Sequence, residues 1–231
     1  MEKNTEGFNL VLLGKTGAGK SAAGNTILGR QFRSVRKMRS VTRECSEAHS
    51  TVSGRSVSVV DTPGFFDTDM KPEELLMEIA RSVYISSPGP HAFLIVLRVD
   101  ERFTEVEKQI PQMIEMLFGE EVLKYSIILF THGDDLEGEP IEEVIKESDD
   151  LKDLVDRCGG RYHVFSNRKM NNREQVNNLL QEIDTMIDYS ENENENHFWL
   201  CIFFFFSFFL SFFFFTNKYF TINKFIFVNH R

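Results

Sequence analysis

The run GKTGAGKS, Gly14 to Ser21, sets three glycines around a turn and ends on a lysine followed by a hydroxyl. That order suits a polyphosphate. Glycines let a chain curl until backbone N–H groups converge on anionic oxygens. A helix beginning near Lys20 adds partial positive charge. Lys20 would neutralise the β- and γ-phosphates, and Ser21 would offer its hydroxyl to Mg2+. Gly14, Lys15, Thr16, Gly17, Ala18, Gly19, Lys20 and Ser21 thus form a candidate phosphate cradle. They match GxxxxGK[ST] in full, after the apolar run NLVLL and before a helical run, which is the context the motif requires.

Two further stretches fit the same ligand. VSVVDTPG is an apolar strand ending in Asp61, a residue able to hold Mg2+ through water, and in Gly64, whose N–H can meet a γ-phosphate. IILFTHGDD then runs a strand into a polar turn where guanine-nucleotide proteins carry [NT]KxD. The Asp134 carboxylate can accept both the N1–H and the 2-amino group of guanine. Adenine offers neither donor and would leave that charge buried and unpaired. His132 replaces the usual lysine and would lie along the base, with Gly133 between them. Asn167, at the end of YHVFSN, would cap the guanine edge. An adenine-specific ATPase is the competing reading, and it requires Asp134 to be irrelevant.

The elements that must place these residues alternate. Asn9–Leu13, Ser56–Asp61, His91–Val99, Tyr125–Thr131 and the weaker Arg161–Ser166 read as strands. Lys20–Leu28, Pro72–Ile85, Glu105–Phe118, Ile141–Arg157 and Arg173–Ile187 read as helices, with Thr104 and Glu107 fitting a capping box and Pro72 a first helical position. Val41–Val52 reads as an extended edge strand. Alternation of this kind predicts an α/β fold, a mainly parallel sheet with helices on both faces.

Composition narrows the partners. The chain has 231 residues and a formal charge of −9, but residues 198–231 hold three basic side chains and no acid. The remainder therefore carries 23 basic against 35 acidic side chains, a net −12. Such a body is ill suited to neutralising phosphates along a nucleic acid, so no nucleic-acid partner is expected. Three cysteines without CxxC spacing and an N-terminus without the apolar run of a signal peptide predict a cytoplasmic protein. Residues 1–7 read as an N-terminal tail, 8–188 as the nucleotide domain, 189–197 as a polar linker and 216–231 as a C-terminal tail. Between the last two lies FWLCIFFFFSFFLSFFFF, residues 198–215, which carries no charge. About 18 apolar residues is the short end of what spans a bilayer. A membrane anchor and translated T-rich noncoding DNA remain alternative readings of that stretch.

GKTGAGKSAAGNTILG, DTPGFFDT, GPHAFLIVLRVDERFTEVEKQ and FTHGDDL together resemble the AIG1-type G domain, the immunity-associated GTPases related to septins and the chloroplast Toc GTPases. The resemblance runs from about Phe8 to Ile187. It implies a P-loop, Ras-like core of six strands, one edge strand antiparallel, binding GTP or GDP with Mg2+. It extends the phosphate contacts to Ala22, places Ser34 ahead of the first switch, and makes Thr42, or failing it Ser40, the sensor of the γ-phosphate and Mg2+. It also implies a homodimer formed through the nucleotide faces, in which Arg102 would supply charge to the transition state of the other copy. A solvated loop arginine is the plainer reading of Arg102, and Arg98 is structural. Ras-like proteins place a catalytic glutamine just after DxxG, whereas this chain has Phe65 and Phe66, neither able to orient water. Slow intrinsic hydrolysis raised by dimerisation, or a GTP-dependent membrane scaffold without appreciable hydrolysis, are the two activities left open.

Overall fold

The structure is a computed structural model, and it describes residues 7–32, 42–67, 69–86, 89–166 and 172–192. These lie within one compact unit, Met1–Glu195. Six strands, β1 (Phe8–Leu13), β2 (Ser46–Val52), β3 (Arg55–Asp61), β4 (Ala92–Arg98), β5 (Ser126–Thr131) and β6 (Tyr162–Val164), form one sheet in the order β2-β3-β1-β4-β5-β6. Among the described residues only the β2–β3 pair is antiparallel; β1–β3, β1–β4, β4–β5 and β5–β6 run parallel. This is the expected sheet.

Parallel strands covered on both faces must be apolar on both, and β4 (AFLIVLR) and β5 (SIILFT) are buried at nearly every position. The edge strand β2 (SEAHSTV) is largely exposed and polar, as an uncovered edge requires. The core gathers Leu10, Leu12, Leu94, Val96, Ile127 and Leu129 of the central strands with Val176, Leu179 and Ile183 of the last helix.

Helices α1 (Lys20–Leu28), α2 (Pro72–Ile85) and α3 (Glu105–Phe118) keep the bounds read from the sequence. Each carries a local start signal: Gly19 in left-handed conformation before α1, Pro72 at the first position of α2, and the Thr104–Glu107 capping box of α3. The expected single helix Ile141–Arg157 is instead two, α4 (Ile141–Lys146) and α5 (Asp149–Arg157). Ser148 breaks it: extended at φ −133°, it accepts a hydrogen bond from the Leu151 N–H, and Asp149 and Asp150 follow in the first turn. The last helix, α6 (Arg173–Asn192), extends past Ile187. Strand β2 begins at Ser46 rather than Val41, and Val41 lies outside the described residues. Strand β6 is shorter than Arg161–Ser166, and 3-10 turns at Glu120–Tyr125 and Gly133–Leu136 had no counterpart in the sequence reading. No helix among the described residues is long and apolar enough to cross a membrane, and the Phe-rich stretch 198–215 lies outside them.

Candidate nucleotide site

The loop between β1 and α1 closes over the lysine it carries. Gly17 and Gly19 adopt φ of +87° and +96°, a region that costs other residues energy. A Cβ on Gly19 would lie 3.1 Å from the Thr131 hydroxyl, so the loop and the end of β5 meet in tight contact there. Lys20 is only 7% exposed, and its ammonium donates to the carbonyls of Gly14 (2.9 Å) and Lys15 (3.0 Å). Burial pushes its pKa down to about 8, against the opposing pull of Asp61 and Asp67. A buried cation folded onto neutral carbonyls is one that an anionic oxygen would satisfy better. Ala22 sits in the first turn of α1, where its carbonyl accepts from Thr26.

Three oxygen-bearing side chains converge beside Lys20. Ser21 donates to Asp61 Oδ2 at 2.5 Å, Thr42 donates to the same oxygen at 3.3 Å, and the two hydroxyls lie 3.5 Å apart. Asp61 is 2% exposed, and its other oxygen, Oδ1, is buried with no hydrogen-bond partner. Burial raises its pKa, opposed by Lys20, Ser21 and Thr42. An orphaned buried carboxylate oxygen is costly unless a cation or its water meets it. Hard oxygens of this kind suit Mg2+, which keeps several waters and takes its remaining ligands from carboxylates and phosphates. Ser21, Thr42 and Asp61 therefore fit that ion. No group of three or more His, Cys, Asp or Glu side chains able to hold a metal is found among the described residues.

The DTPG turn is bound to the phosphate loop along its backbone. Phe65 N–H donates to the Gly14 carbonyl (3.0 Å) and Thr16 N–H to the Phe65 carbonyl (3.4 Å), while the Thr62 hydroxyl donates to the Leu12 carbonyl (2.6 Å). Gly64 has no room for a side chain: an added Cβ would sit 2.5 Å from Thr16 Cα and closer still to its amide nitrogen and hydroxyl. Phe65 is fully buried, and Phe66 takes the left-handed backbone conformation at φ +60°.

At the other end, the polar turn after β5 is tied to the same loop. Thr131 donates to the Ala18 carbonyl at 2.8 Å and lies 3.1 Å from His132 Nδ1. His132 takes φ +61°, Gly133 N–H donates to the Phe165 carbonyl (3.0 Å), and Ser166 donates to Asp134 Oδ1. Two residues of this arrangement, Thr131 and Ser166, are additional to those the motifs single out. Thr131 occupies the [NT] position of the motif, and Ser166 immediately precedes Asn167, so both were within reach of it. Ser34, Ser40 and Asn167 lie outside the described residues.

Lys15 and Arg102 stand apart from this arrangement. The Lys15 ammonium is held by Glu101 (2.5 Å) and Glu107, while its carbonyl faces Lys20. Burial opposes its charge, but the two carboxylates outweigh it and raise its pKa. Arg102 is exposed and lines a cleft of about 680 Å3 beside the phosphate loop, together with Lys15, Ala18, Phe103 and Ser148. The cleft flanks the loop on its α3 side.

Residues 8–199 match the AIG1 family. Immune-associated nucleotide-binding protein 8 of Arabidopsis thaliana is 36% identical over 194 residues, covering 81% of this chain and 55% of that protein. Immune-associated nucleotide-binding protein 4 of the same plant is 34% identical over 75% and 55% of the two chains, and GTPase IMAP family member 8 of Homo sapiens is 34% identical over 78% and 28%. The chain spans about half the length of the plant relatives it matches. Toc33 from Arabidopsis thaliana in complex with Mg2+ and GMPPNP shares the fold at a TM-score of 0.63 and 19% identity, over 81% of this chain and 87% of that one. A structure of the chloroplast translocon components atToc33 and psToc159, in which dimerization is important for GTPase activity, aligns at a TM-score of 0.58 and 23% identity over 72% of each chain. This chain is a member of the AIG1 family of nucleotide-binding proteins.

Proposed function

We propose that the chain binds GTP and GDP with Mg2+ and hydrolyses GTP slowly alone and faster as a homodimer. The Thr131–Ala18 hydrogen bond carries the binding reading, because it joins the Asp134 turn and the phosphate loop into one cleft. Lys20 would exchange its carbonyl partners for phosphate oxygens, and loop amides would hold the rest of the polyphosphate. Ser21, Thr42 and Asp61 would hold Mg2+, which neutralises charge on the phosphates. Asp134, steadied by Ser166, would accept the two guanine donors.

Phe65 and Phe66 leave the attacking water without a side chain to orient it, so rate must come from elsewhere. Arg102, exposed and lining the cleft beside the phosphate loop, is the arginine we assign to the second copy's transition state. An arginine supplied in trans is worth ~10^3–10^5 in rate where it operates. The dependence of Toc GTPase activity on dimerization supports the reading. The burial of Phe65 favours a second reading, a GTP-dependent scaffold with negligible hydrolysis, attached to a membrane through residues 198–215.

Turnover per molecule of the full chain, with Mg2+ over a wide protein concentration range, separates the two. Specific activity that climbs with concentration, and ceases to climb in Arg102→Ala, is expected. GTP that stays bound and intact at every concentration would establish the scaffold instead.

A further inference from the structure

The first turn of α6 holds the base-reading turn from behind. Gln175, only 8% exposed, accepts the Ser166 backbone N–H on its side-chain oxygen at 3.0 Å. Its backbone carbonyl meets His163 Nε2 at 2.7 Å, on the strand that leads into Ser166. Ser166 in turn places its hydroxyl on Asp134 Oδ1. The helix that carries Gln175 is itself anchored: Arg173 donates to the carbonyls of Thr26 (3.0 Å) and Ile27 (3.1 Å) at the end of α1, and Asn172 accepts from the Glu174 N–H (3.1 Å). Hydrogen bonds at either end of the first turn of α6 therefore tie it to the helix of the phosphate loop on one side and, through Ser166, to the Asp134 carboxylate on the other.

We propose that Gln175 is a positioning residue for guanine selectivity. It touches no part of the nucleotide. Its side chain fixes the Ser166 backbone, which fixes the direction of the Ser166 hydroxyl and so the rotation of the Asp134 carboxylate. That rotation matters most for the 2-amino group of the base, because a bidentate contact needs both oxygens in the plane of the ring. Without the Gln175 acceptor, the half-buried Ser166 N–H loses its protein partner and the turn relaxes to satisfy it. The inference rests on the guanine reading of Asp134.

Hypoxanthine keeps the N1–H of guanine and lacks the 2-amino group, so the ratio of GTP to ITP affinity isolates that second contact. It is measured on the full chain, nucleotide-stripped, by titration with GDP/IDP or non-hydrolysable GTP/ITP pairs. Gln175→Met keeps the unbranched length and removes the acceptor. We expect it to weaken GTP about fivefold to tenfold, the scale of one buried hydrogen bond, while ITP loses about twofold or less, narrowing the ratio. Gln175→Glu retains the acceptor and should keep the wild-type ratio. A purely structural role for Gln175 would weaken both nucleotides equally and overturn the proposal. Should Gln175→Met fail to fold, Gln175→Ala is read by the same ratio. If the wild-type chain itself does not distinguish GTP from ITP, the fault lies with the reading of Asp134.

Discussion

Removing the buried lysine of the glycine-rich loop should stabilise the nucleotide-free fold at neutral pH. Lys20 is 7% exposed, and burial takes its pKa from the ordinary 10.5 to about 8. At about 1.4 kcal/mol per tenfold, keeping it charged in the folded state costs about 3 kcal/mol. Lys20→Met removes that cost but leaves the Gly14 and Lys15 carbonyls without their donor, at about 1 kcal/mol each. The variant should therefore gain about 1 kcal/mol at pH 7. The pH dependence gives a sharper signature. Between pH 8 and 10.5 the unfolded lysine still holds a proton that the folded one has lost, so wild-type stability rises with pH across this window. The methionine variant lacks that rise, and its advantage should become a deficit of about 2 kcal/mol near pH 10.5. Urea unfolding of both nucleotide-stripped chains at pH 7 and 10, followed by far-UV circular dichroism, reads the difference while other titrating groups cancel. A variant less stable at pH 7, or a difference that does not change with pH, would refute the idea that this lysine is held charged against its surroundings.

Other substitutions probe the contacts that make the cleft one site. Gly64→Ala places a methyl group against the backbone of Thr16, so the DTPG turn must separate from the phosphate loop; GMPPNP affinity should fall at least about tenfold and GDP affinity less, by parallel titrations. Thr131→Val removes the hydroxyl that meets Ala18 and Leu97 at nearly constant volume; unfolding free energy should drop about 1–3 kcal/mol, and GTP affinity should fall with it.

Much of this architecture is legible in the chain because its signals are local. Lys20–Leu28, Pro72–Ile85 and Glu105–Phe118 each start on a residue whose backbone or cap chemistry permits little else, and the unbroken apolar runs of β4 and β5 specify strands buried on both faces. The break at Ser148 is hard to read because Ile141 and Ile145 on one side, and Leu151, Leu154 and Val155 on the other, each keep helical spacing, and only the six-residue step between Ile145 and Leu151 departs from it. In the site, Lys20, Ser21 and Asp61 were readable from motifs, but their convergence with Thr42 on one carboxylate is long-range and belongs to the fold. The same is true of Lys15, whose place in the loop suggests a phosphate contact, while Glu101 and Glu107, distant in sequence, take its side chain. Gln175 carries no motif at all; only the packing of α6 reveals it.

Asp134→Asn tests guanine recognition most directly. An asparagine still accepts the N1–H through its carbonyl, but its amide now donates where the carboxylate accepted, which matches the 2-carbonyl of xanthine and opposes the 2-amino group of guanine. On the full chain with Mg2+, the variant should lose GTP and gain XTP by about tenfold or more each, while ATP binds neither protein. Equal affinity for GTP in the two proteins, or ATP competing with GTP in the wild type, would contradict the account.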